Sequence, residues 1–65
     1  MIVPIHGQHS LPQLHSIAEV ADAVGVSTKT VRRWIDTGEL AVHHLGRAVR
    51  ISADDLADFL RARRS

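Results

Sequence analysis

Cysteine is absent from the chain, so a disulfide framework and a thiolate zinc site are both excluded, an absence that fits a reducing cytoplasm. No apolar run approaches the roughly 18 residues that cross a bilayer. The opening MIVPIHGQHS has neither the basic start nor the long apolar stretch of a secretory signal, so the expected setting is the cytoplasm, away from any membrane. Paired carboxylates, an activated nucleophile and a phosphate-cradling glycine loop are also missing, and 65 residues leave little room for a water-excluding pocket. The expectation is a protein without enzymatic activity and without a cofactor. A chain this short holds one domain with a thin core and marginal stability.

Charge is present but unevenly distributed. The net value of +1 conceals blocks of opposite sign. Residues 1–26 carry only Glu19 and Asp22, whereas residues 27–50 carry Lys29, Arg32, Arg33, Arg47 and Arg50 against Asp36 and Glu39. Residues 51–60 carry Asp54, Asp55 and Asp58, and the last five residues carry Arg61, Arg63 and Arg64. A basic middle block between acidic neighbours is the asymmetry expected when one face meets a polyanion and the others meet water.

Residues 1–15 hold both prolines and show no helical or strand period, and they are expected to form a flexible or loosely docked arm ahead of a domain spanning 16–65. Ser16 and Glu19 form a capping box that starts a helix, in which Ile17, Val20, Ala21 and Val24 recur at i, i+3, i+4 and i+7 before Gly25 ends it. Ser27 caps a second helix almost at once, so the two helices cross steeply as a helix-turn-helix. Between Thr28 and Thr37 the helical period places Val31, Trp34 and Ile35 on one side and Lys29, Arg32, Arg33 and Asp36 on the other, with Gly38 as the stop. Leu40 to Ile51 reads as two short strands around a Gly46-Arg47 hairpin turn, a wing in which Val49 and Ile51 face inward and Arg50 outward. Ser52 caps a third helix with Asp54 and Asp55 in its first turn and Leu56, Phe59 and Leu60 as its inward stripe. Its arginine-rich last turn is expected to complement the helix dipole and fray into solvent. The fold class is therefore mainly α with a small β-hairpin.

The run Ile17-Ala18-Glu19-Val20-Ala21, Gly25-Val26-Ser27, Thr30-Val31-Arg32-Arg33-Trp34-Ile35, Gly38-Glu39-Leu40, Gly46-Arg47, Arg50-Ile51 and Asp55-Leu56 resembles the excisionase-type, MerR-like winged helix-turn-helix. The likeness covers about Ser16 to Leu60, and the spacing is specific as a set. It implies double-stranded DNA as the partner. It further implies a role in bending DNA so that a site-specific integrase is steered toward excision, with small bacterial transcriptional regulators as the alternative use of the same module. No effector or dimerisation segment follows the module, which favours the excisionase. Two positions depart from the family pattern: His15 stands where an apolar residue commonly precedes the cap, and Val49 where the wing strand commonly carries an aromatic. Looser packing is expected at both.

The candidate interface is Ser27, Thr28, Lys29, Thr30, Arg32 and Arg33 on the second helix with Arg47 and Arg50 on the wing. Arginine forks match guanine edges, and Ser27 at a helix N-terminus suits a phosphate. The wing arginines suit the minor groove or its flanking phosphates. The helix is thus expected to read and the wing to clamp, with neighbouring copies on tandem sites adding affinity. A basic face of this kind also suits an acidic protein partner, and charge alone does not separate the two. Trp34 belongs by its angle with the core rather than with stacked bases. The five histidines include His43-His44 and His6-x-x-His9, but adjacent strand residues face opposite ways and the second pair lies in the arm, so no metal is expected.

Overall fold

The computed structural model describes residues 13–64; residues 1–12, on which most of the expected arm falls, with His6 and His9, lie outside the described residues. The element order is β1 (Leu14–His15), α1 (Ile17–Val24), α2 (Thr28–Asp36), β2 (His43–Leu45), β3 (Ala48–Ser52) and α3 (Ala53–Ala62). The three strands form one antiparallel sheet in the order β1-β3-β2.

Each helix starts as its sequence dictates. Ser16 Oγ accepts from the Glu19 amide at 3.0 Å while Glu19 Oε1 accepts from the Ser16 amide at 2.8 Å, which closes the capping box of α1. Gly25 ends that helix at φ 75°, and the Val26 amide reaches the Ala21 carbonyl at 2.9 Å. Ser27 Oγ caps α2 by accepting from the Thr30 amide at 3.1 Å. Beyond α2, Gly38 at φ 80° lets the Glu39 amide reach back to the Trp34 carbonyl at 2.9 Å. Ser52 accepts from the Asp55 amide at 3.0 Å to start α3 directly from β3.

The core among the described residues is Val20, Ala21, Val31, Leu40, Ile51 and Phe59, with Ile17, Val26, Trp34, Ile35, Val42 and Leu56 packed partly buried around it. α1 thus buries Val20 and Ala21 with Ile17 and Val24 at the flanks, and α2 buries Val31 as its periodicity requires. In the hairpin, Leu45 pairs with Ala48 across Gly46-Arg47. Gly46 has φ 65° and no non-glycine residue has positive φ, the pattern of a hairpin turn with glycine first.

Three features differ from the sequence reading. Leu14 and His15, placed in the arm, form a strand paired to Ser52 and Ile51, extended by the Ala53 amide donating to the Gln13 carbonyl at 3.0 Å. Two residues are too few to show a period, and the partner that orders them lies far along the chain. Leu60, expected inward, is 43% exposed. Leu56, Phe59 and Arg63 line the inner side of α3 at i, i+3 and i+7, and Leu60 falls on its flank. Arg63, expected to fray, instead pairs with Glu39 and lies 4.2 Å above the Phe59 ring, which itself meets Trp34 at a centroid distance of 4.7 Å. Phe59 therefore joins the end of α3 to the end of α2. Phe59→Ala is expected to cost about 3–5 kcal/mol, whereas Leu60→Ala should change stability by no more than about 0.5 kcal/mol. Urea melts of the two variants check this, and equal losses would contradict the assignment of Phe59 as the link.

Candidate nucleic-acid interface

The exposed face of α2 exists because Val31, Trp34 and Ile35 turn the other side of the helix to the core. Thr28, Lys29, Arg32, Arg33 and Asp36 are all exposed, and Thr30 is half-buried. Ser27 is exposed, but its hydroxyl is engaged in the cap and lies 3.0 Å from Thr30 Oγ1. Consecutive helical residues project about 100° apart. Arg32 and Arg33 accordingly leave opposite flanks of the face with Lys29 between them.

The wing stands on the Arg32 flank. Arg32, Arg47 and Arg50 line one open crevice of about 340 Å³, whose remaining wall is the first turn of α1, Ser16 to Ala18, with Ala48 and Val49 of β3. An adjoining lobe of about 190 Å³ is lined by Ile17, Arg32, Ile35, Asp36, His44 and Val49. The floor common to both is Ile17 and Val49, and the guanidinium common to both is Arg32. Val49, smaller than the aromatic usual at that position, thus borders open space. Arg47 is exposed at the turn, while Arg50 is half-buried with Nη1 donating to the Val49 carbonyl at 2.8 Å, a contact that folds its head along the strand. The structure therefore gathers Arg32 with the two wing arginines and leaves Lys29 and Arg33 on the open helix face, with Thr28 one turn before Arg32 on its flank.

The two adjacent histidines part as strand geometry requires. His44 enters the lobe beside Arg32 and Asp36, whereas His43 Nε2 lies 3.7 Å from Asp55 Oδ2 at the start of α3. Sequence reasoning missed the α1 wall of the crevice. Its only signal was the β1 pairing that draws the start of α1 to β3, and two residues do not display it. Glu19 also belongs to this neighbourhood. Its carboxyl is held below the ordinary glutamate value, first by the hydrogen bond from the Ser16 amide, with partial desolvation opposing and the Ser16 hydroxyl, His15 and Arg50 assisting. No helix among the described residues is long and apolar enough to cross a membrane.

Residues 16–64 match the family described as helix-turn-helix domain. Over 52 residues the chain is 46% identical to an excisionase of Mycobacterium phage D29, which covers 78% of this chain and 93% of the relative. The chain belongs to the excisionase-type helix-turn-helix family. With its three helices and antiparallel hairpin it is a winged helix-turn-helix, as the sequence resemblance implies. Two proteins of Mycobacterium tuberculosis, from strains CDC 1551 / Oshkosh and H37Rv and provisionally named as DNA-binding, are each 39% identical over 56 residues, 86% of this chain and 72% of the relative. No solved structure matches the chain.

The Glu19 carboxylate generates a prediction for acid stability. A value depressed in the folded state gives a contribution that is complete above the unfolded value and is lost as pH falls through the folded one. The contribution of Glu19 to wild-type stability should therefore be lost on acidification below the ordinary glutamate value. Glu19→Gln, which keeps an acceptor for the Ser16 amide, should lessen that loss. Thermal melts at neutral and acidic pH test it, and an unchanged acid limb would contradict it.

Proposed function

We propose that this chain is a double-stranded DNA-binding recombination directionality factor, which binds and bends DNA so that an integrase acts in the direction of excision. The observation that carries the reading is the crevice in which α2 and the wing present arginines beside an exposed, polar recognition face. A short helix of this kind suits the major groove, with Ser27, Thr28 and Thr30 near a phosphate and Lys29 and Arg33 toward the bases. Arg47 and Arg50 on the hairpin suit the adjacent backbone or minor groove. The likeness to a phage excisionase supports the recombination role.

The domain at 16–65 is the binding unit in this reading, acting in the cytoplasm of a bacterial host. One nine-residue recognition helix makes few contacts, so affinity gains from neighbouring copies on tandem sites and from the integrase, each raising effective concentration. Bending comes from wrapping the duplex against helix and wing together, at a cost set by the deformability of the site. A small transcriptional regulator is the second reading, favoured by the likeness to the two mycobacterial proteins named as DNA-binding. A reporter carrying paired attachment sites and their integrase separates the two, because only a directionality factor raises excision at the expense of integration.

Duplex affinity should fall steeply with salt, since each neutralised phosphate contributes about −0.9 to the log–log slope. With five basic residues in the 27–50 block, a slope of roughly −3 to −5 is expected. Fluorescence anisotropy titrations on a labelled duplex at several salt concentrations measure it. Binding indifferent to salt, or none at all, would overturn the DNA reading in favour of an acidic protein partner.

A further inference from the structure

Resting on the DNA-binding reading, we infer that the crevice seats one phosphodiester strand of the duplex and that Arg32 belongs to this clamp, leaving base reading to Lys29 and Arg33. Sequence reasoning groups Arg32 with the readers because it shares the exposed side of α2. The structure separates it from them. Arg32 lines the crevice with Arg47 and Arg50, whereas Lys29 and Arg33 do not.

Groove geometry turns that separation into a division of labour. Base edges lie at the floor of a major groove about 8.5 Å deep and 12 Å wide, so a reader must project from the leading surface of the helix. Phosphates run along the groove's rims. When a helix enters the groove, a rim passes along the helix flank, and on the Arg32 flank the wing rises to enclose it. A side chain in the recess between helix and wing meets the rim, not the floor.

The chemistry of the recess agrees. Three guanidiniums from two separate elements around one concavity repel one another unless an anion lies among them, and planar forks of this kind match phosphate oxygens bidentately. Among the described residues neither Arg32 nor Arg47 enters an ion pair or a side-chain hydrogen bond, so both heads are available. No carboxylate lines the crevice itself: Glu19 attracts Arg50 from beside it while accepting from the Ser16 amide, and Asp36 lines the adjoining lobe with Arg32 without an ion pair between them. Ile17 and Val49 on the floor offer apolar side chains to a deoxyribose and no side-chain donor or acceptor to a base.

The test uses a duplex that the protein itself selects from a random pool, which fixes the register, and replaces its phosphates one at a time by uncharged methylphosphonate. One position should weaken wild-type binding about tenfold, the loss expected for a charge-assisted contact. That loss should vanish in both Arg32→Gln and Arg47→Gln, while the preference of each variant for the selected sequence over a scrambled one stays intact. Both side chains are exposed, and circular dichroism melts verify that the variants are folded. If Arg32→Gln keeps the methylphosphonate loss and instead loses sequence preference, Arg32 is a base reader and the inference is overturned. If the pool yields no bound duplex for the wild-type protein, the functional reading beneath it falls as well.

Discussion

Strand β3 has to satisfy neighbours on every side at once. It pairs with β1 through Ile51 and Ser52 and with β2 through Ala48, Val49 and Arg50, so it is the only strand of the described sheet without a free edge. Ile51 is fully buried in the core, and Ser52 is buried while its hydroxyl starts α3. Arg50 lies between these obligations, lining the crevice from the same strand. Fold and interface therefore share five residues. A register slip of one position would turn Ile51 to solvent and Arg50 to the core, so the buried isoleucine also sets where the wing arginine points.

A core this small leaves the recognition helix dependent on few contacts. Val31 is its one fully buried side chain, and Trp34 meets Phe59 at the other end. Arg63 covers the outer face of Phe59 and pairs with Glu39 just beyond α2, so the last turn of α3 helps close the end of the recognition helix. Large flat aromatics and a guanidinium stacked on one of them cover much surface for few residues, which suits a short chain without cysteine. Orientation of α2 relative to the wing thus depends on residues well away from the proposed DNA surface.

Local signals made most of this fold legible. Ser16 with Glu19, Ser27, Ser52, Gly25, Gly38 and Gly46 each act through neighbours within a few residues, and each does in the structure what its spacing implies. The pairing of Leu14 with Ser52, the Arg63–Glu39 contact and the wall that α1 gives the crevice all join residues far apart in sequence, and no periodicity encodes them. The candidate site followed the same division. Its residue types were visible on α2 and the wing, but the grouping of Arg32 with Arg47 and Arg50 depends on how the two elements meet. Leu60 shows the opposite error, since its type and spacing suggested burial that the position of α3 on the sheet does not provide.

The central claim is that one face of the molecule, α2 with the wing, meets duplex DNA while the outer side of α3 does not. Amide chemical-shift mapping by NMR, with an unlabelled duplex titrated into labelled protein, tests it most directly. The account predicts that the largest changes fall at Thr28 to Arg33 and at Gly46 to Arg50, with Asp54, Asp58 and Leu60 almost unmoved. Changes concentrated on α3, with α2 and the hairpin turn silent, would contradict it.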